Sequence, residues 1–149
     1  MVIVGCSILV RIEKSVEIKS TPEKVWEMLA LDRMPEWMYW KSVAFISEVR
    51  TPEDKYRVGA SAHVAEKHAK YDIEITKILE NEQIIYIAHP GRSTMTLTYT
   101  LKPVEWGTEV TYVCACGGYG IICSICGLIG DRMFGVEPSL NNLKSILEK

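Results

Sequence analysis

Apolar and polar residues alternate with a period of two through the middle of the chain, from Lys41 to about Cys116. The clearest stretch is Thr94–Leu101, where four threonines share one face and four apolar residues share the other. Such alternation predicts strands with one buried face, and the short turns between them predict an antiparallel meander. Six strands are predicted in this region: 42–49, 58–67, 71–79, 83–89, 94–101 and 109–116.

The pattern before this meander predicts one more strand and two short helices. A strand at Val10–Ile18 leads into a helix with Thr21 as its N-cap and Pro22 as its first residue, where a missing N–H costs nothing. A capping box over Ser20–Glu23 is the alternative start. A second short helix is predicted at Met34–Tyr39.

A long helix is predicted after the meander, from Ile121 to Glu148. Its last part carries an apolar stripe that consists of Leu140, Leu143, Ile146 and Leu147. Glycines and a proline lie within the predicted helix, and each glycine weakens a helix by ~1 kcal/mol relative to alanine. We therefore expect a kink, a break or a late start.

Alternation also predicts which strand residues point inward. On the strands with the clearest pattern they are Tyr71, Ile73, Ile75, Met95, Leu97, Tyr99, Leu101, Val110, Tyr112, Cys114 and Cys116. On the strand at 58–67, one face consists of Ala60, Ala62, Val64 and Glu66. If that face is inward, its two alanines leave volume unfilled, as a ligand cavity requires.

Composition excludes several classes of protein. The chain has 149 residues, enough for one domain with a sizeable core, and we treat 1–149 as a single domain. Hydrophobic residues make up 48% and charged residues 24%, which is typical of a globular protein and excludes disorder. The net charge is 17 − 19 = −2 and no segment concentrates lysine and arginine, so no nucleic-acid partner is predicted.

The apolar start, Met1–Val10, is too short to span a bilayer and lacks the basic region of a signal peptide. Ile3–Cys6 is a loose match to a lipoprotein cleavage box, but almost no apolar region precedes it. We interpret this segment as the lead-in to the first strand. No integral membrane segment is predicted, and the expected location is the cytoplasm.

Several motifs occur in an order that is typical of one superfamily. They are Pro22-Glu-Lys-Val-Trp26 at a helix start, Pro35-Glu-Trp37 in the second helix, Val58-Gly59, Trp106-Gly-Thr-Glu-Val110 before the last strand, and the helix at 140–147. Together they resemble the START/Bet v 1-like (SRPBCC) superfamily, and within it the polyketide cyclase/dehydrase-like lipid-binding group. The segment 114–130 is richer in glycine and cysteine than is usual for that group.

The resemblance implies an α+β helix-grip fold, in which a curved, seven-stranded antiparallel sheet surrounds a long C-terminal helix and two short helices follow the first strand. Members carry or sense hydrophobic ligands, and some cyclise polyketides or bind protein clients. No universal catalytic triad can be transferred from this group, and no cofactor is predicted.

A pocket between sheet and helix would use inward residues and the tryptophans near its mouth. The predicted ligand-binding residues are Trp37, Trp40, Ala62, Val64, Glu66, Tyr71, Ile73, Met95, Leu97, Tyr99, Tyr112 and Cys114. Ordinary core packing is the alternative for each apolar member, since apolar residues at period two occur on every half-buried strand. For Glu66 the alternatives are a pocket carboxylate and a solvated residue at a strand end.

Four of the five cysteines are spaced closely enough to consider a zinc site, with Cys114, Cys116, Cys123 and Cys126 as ligands. A C-x-C pair on a strand is a poor chelate, so inert buried thiols are favoured. A disulfide between Cys123 and Cys126 is a further alternative.

Three functions remain open. The favoured one is a carrier or sensor of a lipid, isoprenoid, quinone or polyketide-like molecule, because no group of residues requires catalysis. The second is a cyclase or dehydratase that uses groups such as Glu66, Tyr71, Tyr99 or Tyr112 for proton transfer. The third is a protein- or membrane-binding module that uses the apolar segment 119–134. The sequence leaves the oligomeric state open.

Overall fold

One antiparallel sheet contains most of the ordered backbone. The computed structural model describes residues 2–4, 7–38, 40–66, 70–89, 93–118 and 136–149. The strands of the sheet are β1 (Val2–Val4), β2 (Ser7–Ile18), β3 (Ser42–Phe45), β4 (Ser61–Ala65), β5 (Lys70–Leu79), β6 (Gln83–Ala88), β7 (Ser93–Val104) and β8 (Gly107–Gly118). Their order is β1-β2-β8-β7-β6-β5-β4-β3, so β3 to β8 form a meander and β2 joins it beside β8.

The predicted helix-grip architecture is confirmed. Helix α1 (Pro22–Met28) follows β2, and helix α2 (Val136–Leu147) packs against β2 at the end of the chain. The short strand β1 extends the predicted seven-stranded sheet by pairing with the start of β2. No helix among the described residues is long and apolar enough to cross a membrane.

Local signals in the sequence account for the start of α1 and for the turn between the predicted strands at 42–49 and 58–67. Thr21 caps α1 and its side chain accepts a hydrogen bond from the Lys24 N–H at 3.4 Å. Beyond β3, Thr51 and Asp54 form a reciprocal capping box, which extends the turn into a 3-10 helix at Pro52–Tyr56.

Other predicted elements are shorter than expected. The second short helix is a single 3-10 turn, Met34–Glu36. Strand β4 begins at Ser61 instead of residue 58, because Gly59 has a positive φ of 95° and the Ala60 N–H turns back to the Arg57 carbonyl. The described part of the C-terminal helix begins at Val136, and the predicted stretch from 121 to 135 lies outside the described residues.

The inner face of the sheet has the predicted composition. All the inward residues predicted on the strands are buried, except Glu66, which is half-buried. Strand β6 adds three buried residues that the sequence pattern did not single out: Ile84, Tyr86 and Ala88. A bulge in β5 between Ile75 and Lys77 leaves Thr76 and Lys77 both exposed and returns Ile78 to the inner side.

The turn from β7 to β8 is held tightly against the end of β2. A Cβ atom placed on Gly107 would lie 2.0 Å from the Ile18 carbonyl oxygen, so only glycine fits. The next residue, Thr108, is fully buried and donates its hydroxyl hydrogen to the Ser20 carbonyl at 2.7 Å. The Gly-Thr pair therefore fixes the β7–β8 hairpin to the connection between β2 and α1.

We predict that Gly107→Ala destabilises the protein by about 3 kcal/mol or more, because the clash is with backbone and cannot be relieved by a rotamer change. Gly59→Ala is the control: it has open space around its Cβ position and only an unfavourable φ, so the loss should be about 1–2 kcal/mol. Urea unfolding of both variants measures the difference. Equal losses would contradict the close-approach explanation.

Candidate functional site

The predicted ligand-binding residues lie together on the inner side of the sheet. Trp37 and Trp40 come from the segment before β3, and the others lie on or beside β4, β5, β7 and β8. All belong to one buried cluster except Glu66. Small side chains interrupt this cluster, since the register places Ala62 and Ala88 on either side of Ile73.

Tyr99 is the centre of an aromatic group. Its ring stacks on Tyr112, with centroids 4.6 Å apart and planes at 25°. Trp37 and Tyr86 meet the same ring edge-on, at 5.8 and 6.3 Å. These offset-stacked and edge-to-face arrangements are the favourable geometries for aromatic pairs.

The carbonyl groups at the C-terminal end of helix α1 accept hydrogen bonds from Trp and Tyr side chains. The last four carbonyls of a helix have no partner within it. Here the Leu29 N–H donates to the Trp26 carbonyl at 3.0 Å, and the Tyr56 hydroxyl lies 3.0 Å from that carbonyl and 3.1 Å from the Glu27 carbonyl. The donors for the other two carbonyls complete the cap: Trp37 Nε1–H donates to Met28 at 2.9 Å, and the Tyr86 hydroxyl donates to Leu29.

These capping hydroxyls stay protonated in the folded protein. Burial, together with the negative charges of Asp32 and Glu27, raises the pKa of Tyr56 to about 12. Burial also raises the pKa of Tyr86 well above its ordinary value. Tyr86, Trp37 and Tyr56 are therefore structural donors.

Glu66 and Tyr71 form a polar pair at one end of the inner face. Glu66 follows the last residue of β4, and the Tyr71 hydroxyl donates to its Oε2 at 2.8 Å. Because Tyr71 is inward and buried, the hydrogen bond draws the carboxylate to the inner side. Of the two alternatives for Glu66, the pocket-side position is the one this contact favours.

The sequence matches the family of Activator of Hsp90 ATPase homolog 1-like proteins over residues 19–148. The chain belongs to this family. The predicted membership of the START/Bet v 1-like superfamily is confirmed as well. A sequence search among curated proteins found no match.

Solved structures share the fold of this AHSA1-like protein. The di-domain ARO/CYC StfQ from the steffimycin biosynthetic pathway has a TM-score of 0.72 at 12% identity, covering 94% of this chain and 51% of StfQ. The Mll3558 protein from Rhizobium loti has a TM-score of 0.70 at 18% identity, covering 93% and 97%. The Aha1 dimer from Colwellia psychrerythraea has 0.64 at 18%, covering 93% and 96%. At these identities the likeness shows the fold alone.

Lys14 is a candidate that the sequence prediction missed. Along β2 of this AHSA1-like protein, the residues at even positions from Ile12 to Ile18 are half-buried or buried, whereas those at odd positions are exposed. Lys14 pairs directly with Tyr112, so both side chains lie on the inner face. The period-two pattern could have found Lys14, because it interrupts an otherwise apolar face.

The two cysteines among the described residues differ in state. Cys114 is a free, buried thiol, and burial raises its pKa to about 11 against the opposing effect of its hydrogen bond with Tyr112. Such a thiol is unreactive at neutral pH. Cys116 is disulfide-bonded, so the expectation of a free thiol is wrong there. Cys123 and Cys126, the other two residues of the zinc alternative, lie outside the described residues.

In the described part of the chain, two open grooves lie apart from the predicted ligand-binding residues. One, of about 340 Å³, is lined by Trp26, Pro52, Glu53, Tyr56, Ile78 and Glu80. The other, of about 810 Å³, lies around the β7–β8 turn and the end of α2. Neither includes a predicted ligand-binding residue, whereas a third open groove, of about 360 Å³, is lined in part by two of them, Val64 and Tyr71.

We predict that Tyr86→Phe destabilises the protein by about 1–3 kcal/mol, because the buried Leu29 carbonyl loses its donor. Tyr71→Phe is the matched control, since its partner Glu66 is half-buried and can be solvated; the expected loss is about 1 kcal/mol or less. Urea unfolding followed by circular dichroism compares the two. A larger loss for Tyr71→Phe would contradict the capping role.

We also predict that the free energy of unfolding falls as the pH rises from about 10 toward 12. The unfolded state releases the tyrosine protons first, because the folded pKa values of Tyr56 and Tyr86 are raised. The stabilisation is therefore fully present below the unfolded pKa and is lost as the pH approaches the folded one. Urea titrations across this range measure the slope, which Tyr56→Phe should reduce; an unchanged slope would refute the assignment.

Proposed function

We propose that this AHSA1-like protein binds an apolar small molecule over the inner face of its sheet and acts as a carrier or sensor. The observation that carries the proposal is the composition of that face. It is apolar and aromatic, with a few placed polar groups: the Glu66–Tyr71 pair, Lys14 and the Tyr99–Tyr112 stack. Ligand pockets in proteins are mostly apolar with a small number of polar groups that orient the ligand.

The small residues on this face support the same proposal. Ala62 and Ala88 flank Ile73 in one row of the sheet, and Ala60 lies beside the next inward residue of β5, Ile75. These three alanines are buried, and each occupies less of the inner face than a larger apolar side chain would. The flat rings suit a ligand with rings or conjugated bonds, so quinones and polyketide-like molecules are favoured among the predicted classes.

The similar structures give this choice further support. StfQ is described as an ARO/CYC of the steffimycin biosynthetic pathway. Its fold matches 94% of the length of the present chain. The occurrence of the same fold in a protein described as an ARO/CYC supports a ring-bearing ligand for this chain. The expected cytoplasmic location stays a prediction.

A cyclase or dehydratase is the second candidate, and the Tyr71–Glu66 hydrogen bond is the observation that favours it. A carboxylate and a phenol 2.8 Å apart can act as a proton acceptor and a proton donor on one substrate. In an enolisation, Glu66 would take a proton from a carbon beside a carbonyl, and Tyr71 would donate one to the carbonyl oxygen. The protein- or membrane-binding alternative depends on 119–134, which lies outside the described residues.

We predict that native mass spectrometry of freshly purified protein detects a bound mass in the lipid or polyketide range, which denaturing extraction releases. Ala88→Leu should lower the bound fraction by filling the inner face, whereas Ala44→Leu, exposed on the outer face, should leave it unchanged. If Glu66→Gln retains the ligand but changes its mass from product to substrate, the enzyme alternative replaces the carrier.

A ligand-free mass for the wild-type protein would contradict the carrier proposal. A bound mass that folded Ala88→Leu retains in full would place the ligand elsewhere.

A further inference from the structure

Strand β2 brings a positive charge to the inner face of the sheet. Arg11, Glu13 and Ser15 point outward and are exposed, whereas Lys14 between them is half-buried. The pairing of β2 with β8 is continuous through this region, so no bulge changes the face of the sheet on which Lys14 lies. Lysine is rarely placed on the buried face of a strand unless its charge interacts with another group.

The neighbours of Lys14 are aromatic and apolar. Its cross-strand partner is Tyr112, whose ring stacks on Tyr99 at 4.6 Å. The same row of the sheet continues through Ile84 to Ile78. An ammonium group beside such a row is only partly hydrated, so a charge-assisted hydrogen bond to it is stronger than the same bond in water.

Glu66, the inner-face carboxylate within the described part of the chain, is far from this lysine. Glu66 follows the end of β4, and its partner Tyr71 lies three inward positions before Ile78 on β5. One inward position corresponds to about 6.6 Å along a strand, so the carboxylate is roughly 20 Å away in that direction. The two charged groups therefore lie at different ends of the inner face.

We propose that Lys14 binds an acidic oxygen of the ligand and so selects apolar acids, such as a carboxylate or phenolate on a ring-bearing body. This inference rests on the proposed function and specifies its ligand class. Lys14 already has an interaction within the chain, and the ligand oxygen would join or replace it. The ring body would pack along the face toward Leu97 and Met95, which occupy the next inward positions of β7.

Two fluorescent probes test this directly, because anilinonaphthalene sulfonate and phenylnaphthylamine share one ring body and differ by a sulfonate. The sulfonate stands in for the ligand's acidic group. Wild-type protein should bind the anionic probe about tenfold to a hundredfold more tightly than the neutral one. Lys14→Met should abolish that preference and leave the affinity for the neutral probe unchanged.

Lys14→Arg retains the positive charge and should keep most of the preference. Lys102→Met removes an exposed lysine from β7 and should have no effect, which excludes attraction to the surface as the cause. Near-ultraviolet circular dichroism confirms that each variant is folded. If Lys14→Met does not fold, the test is the ratio of the affinities for the anionic and the neutral probe in wild-type protein, together with the retention of that ratio in Lys14→Arg.

The outcomes separate the inference from the proposed function. Equal affinity of wild-type protein for both probes, or an unchanged ratio in folded Lys14→Met, would overturn the role of Lys14 while the binding of an apolar ligand stands. Failure of both probes to bind the folded protein would overturn the proposed function itself, and the role of Lys14 with it.

Discussion

The interior is organised around the need to supply hydrogen-bond donors to the end of helix α1. The Met28 and Leu29 carbonyls at this end accept buried hydrogen bonds, and a buried carbonyl without a partner costs about 1–3 kcal/mol. Tyr56, Trp37 and Tyr86 supply the donors, and they come from a 3-10 helix, the segment after α1, and the sheet. One helix end thus holds three separate parts of the chain in a fixed relation.

This capping of α1 also determines which polar groups of the inner face can contact a ligand. Tyr86 and Trp37 touch the Tyr99 ring with their faces or edges, but their polar atoms are committed to α1. Two charged residues, Lys14 and Glu66, lie at the margins of the inner face, and both are half-buried. An aromatic centre whose Tyr86 and Trp37 polar atoms bind α1, with polar groups at its borders, is suited to hold an apolar body while the polar ends of that body are recognised.

The family-like motifs have direct physical meanings in this fold. Pro22 after the Thr21 cap begins α1, and Gly107 permits a backbone approach that a Cβ would prevent. Thr108 then donates to the Ser20 carbonyl and joins the β7–β8 turn to the start of α1. Motifs of this kind specify how the sheet closes on the helix, which explains why they identify the superfamily without identifying a ligand.

The sequence by itself determined the strand pattern, the inward residues and the cap of α1, because alternation and capping are local and each residue carries its own signal. It overestimated β4 and the helix at Met34, where a positive φ at Gly59 and a tight turn override the pattern. Only the tertiary structure revealed the Tyr86–Leu29 and Tyr71–Glu66 contacts and the meeting of Lys14 with the tyrosine stack. Such contacts join distant strands and helices, and no local period encodes which of them become neighbours.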